Sequence, residues 1–474
     1  MIVMKFGGTS VEDAAAIERV ATIVRGRAAD DPVVVVSAMA RVTDQLLAAG
    51  QAAAAGDVEI ALESARALRQ RHQHTASELL PGHHLSELQP VLESNFDELE
   101  KLLARIASVH ELSLRNSDCL LSFGELLSSK LVSAAIAARG LACAQVDARE
   151  CLVTDGSHTR AVPLFDATRT RLELRLWPLL AQHVVAVLGG FIGATLDGTP
   201  TTIGRGGSDY SASIIGAALG ASRIEIWTDV PGMLTTDPKL CAEAELIPEI
   251  GFEEAAELAA FGAKVLHPAT LLPAIEKNIP VYVLNSRDAA GTGTCIRTHV
   301  KRNGRPVRAI AAKRNTTIVN VSGERAWIPR GFLREVLAVF DRHECQVDIV
   351  SSSQVSISLA VDCGSATAEL VADLERFAQV SCEPRQAIVS VVGENLRGLQ
   401  GIAARVFGSV AAAGVNVRMI SQGASEINIA FVIQDEDVPA AVHRLHRDLF
   451  APETGIDEAW LPSPGMSRAG MNCL

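Results

Sequence analysis

The chain has 474 residues, 48% of them hydrophobic and 21% charged, enough to bury several cores in about two to four domains. A formal net charge of −12 and an aromatic content of 4% exclude a basic, base-stacking surface for nucleic acid and argue against an anionic-membrane patch. The nine cysteines are dispersed, with no Cys-x-x-Cys pair, which fits free thiols in a reducing compartment better than disulfides or a zinc site. No apolar run approaches the ~20 residues that span a bilayer, and MIVMKFGG lacks the shape of a signal peptide, so a cytoplasmic protein is expected.

Ile2–Phe6 is a short apolar run that carries Lys5 and closes on Gly7-Gly8-Thr9-Ser10. Ile17, Val20, Ala21 and Val24 then recur at helical spacing, so the chain opens as strand, glycine turn and helix. Such a turn is a candidate anion cradle, because free N–H groups and the helix dipole converge there. It is neither a Walker loop nor a dinucleotide fingerprint, since Gly-Lys and G-x-G-x-x-G are both absent.

Val33–Val36 reads as a strand buried on both faces, ended by Ser37. Residues 43–139 are mostly helical, with breaks near Gly56-Asp57 and Pro81-Gly82. Phe123-Gly124-Glu125-Leu126 reads as a further interruption that places Glu125 at a helix start, as a dipole charge or as a site residue. Strands expected at Ala142–Val146, Val184–Leu188, Arg223–Trp227 and Pro280–Leu284 alternate with helices. That order implies an α/β fold with a mainly parallel central sheet covered on both faces. Ligands of such sheets lie at the carboxyl ends of the strands, where Gly7-Gly8, Ser37, Gly189-Gly190 and Thr228-Asp229 all fall.

Thr201–Ser213, TTIGRGGSDYSAS, is the densest polar and glycine-rich stretch and leads into a second helical pattern. It joins Arg205, Gly206, Ser208 and Asp209 to a helix N-terminus. Lys5, Arg205 and backbone N–H groups suit phosphates or carboxylates, while Glu125, Asp209 and Asp229 suit Mg²⁺ or an ammonium group. No general base stands out, and a carboxylate acceptor needs none, being ionised already at neutral pH. Phosphoryl transfer then requires mainly alignment and charge neutralisation.

KFGGTSV at 5–11, GGFIG at 189–193, TTIGRGGSDYSA at 201–212, WTDVPGMLTTDP at 227–238 and FGAKVLHPAT at 261–270 together resemble aspartate kinase, collinearly over almost the whole chain. The resemblance implies an amino-acid-kinase fold and transfer of the ATP γ-phosphoryl group, with Mg²⁺, to the β-carboxylate of L-aspartate, the step that opens lysine, threonine and methionine synthesis. Lys5 would meet the transferred phosphate, with Gly7, Gly8 and Ser37 near the phosphates and Thr228, Asp229, Lys239 and Lys264 on the nucleotide side. Arg205 would pair with a substrate carboxylate and Thr43 would lie on the substrate side. Glu125 and Asp209 would hold the α-ammonium or orient Lys5. Leu234 stands where many relatives carry tyrosine.

Residues 1–295 are thus expected as the catalytic domain and 296–314 as a linker, whose basic residues between Arg297 and Arg314 form a solvated charge run. Beyond it the chain repeats at an offset of 70: Ile318-Val319-x-Val321-x-Gly323 returns as Ile388-Val389-x-Val391-x-Gly393. Each unit, 315–384 and 385–474, reads as a ferredoxin-like α+β module and resembles the tandem ACT domains of aspartate kinases. The resemblance implies feedback by lysine, or secondly threonine, and a homodimer or homotetramer built through these modules. The expected effector site is the helix start Gly331-Phe332-Leu333 near Val347-Asp348, receiving a carboxylate at the helix end and an ammonium at Asp348.

Overall fold

A computed structural model describes residues 1–204, 206–262, 268–300, 305–323, 331–423 and 426–450. The first part contains β1 (Ile2–Phe6), α1 (Ala14–Gly26), β2 (Pro32–Val36), α2 (Val42–Ala55), α3 (Val58–Leu79), α4 (Gly82–Val109), α5 (Leu114–Ala138) and β3 (Cys143–Val146). It continues with α6 (Phe165–Leu180), β4 (Val185–Gly189), β5 (Ile192–Ala194), β6 (Pro200–Thr202), α7 (Gly207–Leu219), β7 (Ile224–Thr228) and β8 (Glu249–Gly251). It ends with α8 (Phe252–Ala260), α9 (Leu272–Glu276), β9 (Val281–Asn285) and β10 (Thr294–Arg297).

Eight strands form one sheet in the order β3-β4-β2-β1-β7-β9-β10-β8, parallel throughout except where β10 runs against β9. IVMKF and PVVVV take the centre because every residue in them is buried. Alternate side chains feed two cores: Val3, Val33 and Val35 pack with α6 and α7, whereas Met4, Phe6, Val34 and Val36 pack with the helices between α1 and α5. The expected α/β class and strand positions are borne out.

Two local expectations change. The Gly7-Gly8 turn leads into a 3-10 turn at Gly8–Val11, and α1 is capped by the Asp13 side chain, which accepts from the Ala16 N–H at 2.8 Å. The amino end of α1 is therefore closed by its own residue. Gly124, expected to interrupt the helical stretch, lies inside α5. It is a packing notch: a Cβ there would stand 2.8 Å from the Ala38 Cβ. The break falls instead at residues 110–113, where Ser113 caps α5. Helix α5 is long and apolar enough to cross a membrane and is mostly buried inside the fold.

The second part contains β11 (Val307–Ser322), α10 (Phe332–Arg342), β12 (Val347–Ser352), β13 (Ser356–Asp362), α11 (Ala368–Glu375), β14 (Gln379–Gly393), α12 (Ile402–Ala412), β15 (Met419–Ser421), β16 (Asn428–Gln434) and α13 (Val438–Phe450). All six strands join one antiparallel sheet, β12-β13-β11-β14-β16-β15. The two repeats share it through their longest strands. Residues 318–322 of β11 pair with 379–383 of β14, while Val307–Lys313 pair with 388–393. The opening half of β11 thus supplies the closing strand of the second repeat.

Much of the expected linker is therefore structured, and its charges are not simply solvated. Arg297 pairs with Glu249, Arg305 with Glu245, Arg308 with Glu254, Lys313 with Asp348 and Asp362, and Arg314 with Asp435. Each acid is distant in sequence from its cation, and the pairs of Arg305 with Glu245 and Arg308 with Glu254 tie the second part to the first. The eight cysteines among the described residues are all free.

Candidate active site

A cavity of about 570 Å³ opens at the carboxyl ends of β1, β2 and β4, lined by Lys5, Gly8, Ser37, Thr43, Glu125, Gly206, Ser208 and Asp209 among others. Lys5 leaves the centre of the sheet with its side chain only 10% exposed, and its Nζ lies 2.6 Å from the Asp209 carboxylate. Asp209 occupies the first turn of α7, whose N-cap Gly206 has φ 73° and supplies no side-chain cap. The amino end of α7 is therefore open to an anion from the cavity, with an acid already committed to Lys5 beside it.

Glu125 projects from the middle of α5 and is 3% exposed. Burial raises its pKa to about 8, opposed by the Ala38 backbone N–H, and its Oε2 finds no partner among the described residues. Two glycines make this crowding possible. A Cβ on Gly189 would lie 2.9 Å from the Glu125 Cβ, and one on Gly190 would lie 2.7 Å from the Ser208 Cα. The Gly189-Gly190 pair thus lets α5 and α7 converge on the end of β4.

The remaining expected residues divide. Gly7 adjoins the site without lining the cavity: its N–H donates to the Trp227 carbonyl at 3.1 Å, and a Cβ there would stand 3.7 Å from Lys5 Nζ. Thr228 ends β7 half-buried, its hydroxyl donating to Asp229, while Asp229 and Lys239 are exposed and outside the cavity lining. Arg205 and Lys264 lie outside the described residues. In the second part, Gly331 caps α10 with φ 92°, Phe332 is buried and Leu333 exposed. Val347 and Asp348 lie on β12, and the Asp348 carboxylate takes a 2.6 Å hydrogen bond from Lys313.

The cavity also holds residues that the sequence reading passed over: Met39, Arg41, Asp44, Leu121, Thr159, Phe191 and Thr202. Arg41, Thr159 and Phe191 all have positive φ, at 67°, 69° and 63°. No local cue marks such backbone in residues that are neither glycine nor asparagine, so only the assembled structure reveals them. Thr202 sits in the conspicuous TTIG stretch and was the most findable. Outside the cavity lining, the first part is bonded to the second at Thr235: the Ile310 N–H donates to its carbonyl at 2.7 Å, and its hydroxyl meets His446 Nε2 at 2.9 Å.

The amino acid kinase family matches residues 1–285, and an ACT domain family matches residues 389–449. Lysine-sensitive aspartokinase 3 of Escherichia coli (strain K12) is 37% identical over 465 residues, spanning 95% of this chain and 99% of that protein. The chain belongs to the aspartokinase family. The crystal structure of E. coli aspartokinase III in complex with aspartate and ADP covers 95% of this aspartokinase, with all of that chain matched, at 36% identity and a TM-score of 0.82. The complex of the same E. coli enzyme with lysine and aspartate, described as a T-state, covers 95% of this chain and 99% of that one at 37% identity and a TM-score of 0.81. Membership makes this aspartokinase an ATP-dependent kinase that acts on aspartate.

Proposed function

We propose that Lys5, Asp209, Glu125 and the amino end of α7 divide the work of phosphorylating the β-carboxylate of L-aspartate. The observation that carries this assignment is the Lys5–Asp209 contact at 2.6 Å beside a buried Glu125 whose Oε2 has no partner among the described residues. Asp209 is spent on orienting Lys5, which leaves Glu125 to receive the α-ammonium of the substrate. The open turn at Gly206–Ser208, with Arg205 between Gly204 and Gly206, takes a substrate carboxylate. Lys5 then neutralises charge on the transferring phosphoryl group, with Gly8 and Ser37 beside it on the cavity wall. Thr43 is assigned to the substrate side, and Gly7, Thr228, Asp229, Lys239 and Lys264 to the nucleotide side.

The β-carboxylate attacks without a base because it is already ionised. Among the described residues no group of three or more His, Cys, Asp or Glu side chains gathers into a metal site. That composition fits Mg²⁺ carried mainly on the phosphates, with Asp44 the cavity carboxylate left to hold it. Bound there, the ion supplies further charge neutralisation.

Regulation is proposed to lie in the second part. Lysine is the first candidate effector and threonine the second, because the E. coli relative is named lysine-sensitive and is described with lysine bound. Its carboxylate would meet the start of α10 at Gly331, Phe332 and Leu333, and its ammonium would compete with Lys313 for Asp348, next to Val347. The exposed Val350 and Ile420, on the edge strands β12 and β15, favour pairing between chains, as a homodimer or homotetramer. Free cysteines fit a cytoplasmic setting.

Release of ADP, or formation of aspartyl hydroxamate, with Mg²⁺ and ATP tests the activity with aspartate and glutamate in parallel. Turnover with aspartate and little with glutamate is expected; no turnover with aspartate would sink the assignment. Separate titrations with lysine and threonine test the effector site. If neither inhibits nor shifts the melting temperature, the site at α10 fails.

A further inference from the structure

Asp118 lies two turns before Glu125 on α5, on the same side of the helix, and is fully buried. Its carboxylate is spent entirely on the loop that precedes α6 and on β6. The Thr159 N–H donates to its two oxygens at 3.1 and 3.0 Å, the Thr202 hydroxyl at 2.6 Å and His158 Nδ1 at 2.7 Å. Two of those donors belong to residues that line the cavity, Thr159 and Thr202.

Thr159 is held in an unusual state. Its φ of 69° is a backbone region that β-branched residues rarely occupy. The surrounding bonds explain how it persists. Ala161 N–H donates to the Thr202 carbonyl at 2.9 Å, Thr154 Oγ1 meets Thr201 Oγ1 at 2.7 Å, and Asp155 accepts from the Ser157 and Val162 N–H groups. The loop also abuts the substrate turn, since a Cβ on Gly204 would stand 3.4 Å from the Thr159 carbonyl. A strained residue fixed by a buried carboxylate, on the wall of a reaction cavity, is a feature that folding alone does not require.

We propose that Asp118 and His158 are positioning residues that hold Thr159 as a wall of the amino-acid pocket, where its side chain admits a four-carbon acidic amino acid and rejects the homologue one methylene longer. The proposal rests on the reading that this cavity takes aspartate. One methylene against a fixed wall is worth roughly a 10- to 200-fold preference, and a wall on a loop holds its place only if the loop cannot yield.

Steady-state kinetics of three variants test it. Thr159→Gly removes the side chain and suits the positive φ, so it should fold with an unchanged or higher Tm. It is expected to raise KM for aspartate at least ~5-fold, to shift KM for ATP less than twofold, and to weaken discrimination against glutamate at least ~5-fold. His158→Ala should raise KM for aspartate in the same selective way. His158→Asn should recover most of the loss, because its amide N–H reaches the place of Nδ1. If KM for aspartate and ATP move together, or if glutamate discrimination survives Thr159→Gly, the wall does not exist. Wild-type enzyme that turns over aspartate beside an indifferent Thr159→Gly removes only this proposal. Wild-type enzyme with no aspartate turnover removes it together with the reading beneath it.

Discussion

The Lys5 ammonium sits 2.6 Å from an Asp209 carboxylate oxygen, joining the central strand of the sheet to the first turn of α7 at the mouth of the cavity. Both side chains are largely buried, at 10% and 14% exposure. The contact sets the direction of Lys5 before any substrate arrives. It also sets Asp209 apart from Glu125, which is left with an oxygen that meets no partner among the described residues.

Removing the cation should therefore cost transition-state energy rather than stability. Lys5→Ala is expected to lower kcat/KM by at least ~3 kcal/mol, the scale of one preorganised charge. Asp209→Asn keeps the shape and loses the charge that orients Lys5, so kcat should fall while the fold is retained. Near-normal kcat/KM in Lys5→Ala would take Lys5 out of the site.

Glu125 links activity to pH. With its pKa raised to about 8 by burial, the empty site holds it protonated at neutral pH. An arriving ammonium favours the ionised form, so aspartate binding should release a proton, and KM for aspartate should fall as pH rises from 6 toward 8. Stability follows the opposite course. The folded state holds a proton that the unfolded chain gives up near pH 4.5, so ligand-free protein loses stability between about pH 4.5 and 8. Glu125→Gln should flatten both profiles and raise Tm at pH 8. Calorimetric proton release that is unchanged in this variant would contradict the assignment.

Gly124→Ala sets two effects against each other. Alanine gains up to ~1 kcal/mol of helix propensity over glycine. The new methyl would stand 2.8 Å from the Ala38 Cβ, and such overpacking costs ~1–3 kcal/mol. Packing should win, so the variant should melt earlier, and because Ala38 also bonds Glu125, KM for aspartate should rise. A higher Tm would show that α5 can shift without cost.

Thr235 and His446 couple the two halves. Thr235→Val removes the hydroxyl that meets His446 Nε2 at 2.9 Å and accepts from Glu245 N–H at 2.9 Å. A loss of ~1–2 kcal/mol is expected from these bonds, together with weaker inhibition by the effector at equal effector binding. Inhibition curves that superpose on wild type would place the coupling elsewhere.

Much of the catalytic fold was legible beforehand. IVMKF and PVVVV announce fully buried strands by their unbroken apolar runs, and the paired glycines at 7–8 and 189–190 mark the strand ends that face the cavity. Gly124 reads as a helix breaker because a glycine in isolation signals weak helix, whereas its role is to fit against Ala38, distant in sequence. The basic residues from Arg297 to Arg314 read as solvated for the same reason, since each acid that pairs with them is distant in sequence.

By itself the sequence determined the main buried strands and the helices between them, that the sheet is mainly parallel, and that the second half is a repeat. Those follow from periodicity and apolar runs, which are local properties of the chain. Tertiary structure alone decided that Lys5 belongs to Asp209, that Glu125 is buried with one oxygen unpartnered among the described residues, and that Thr159 is pinned by Asp118. Ion pairing and desolvation depend on distances between residues far apart in the chain, and spacing along a sequence does not carry those distances.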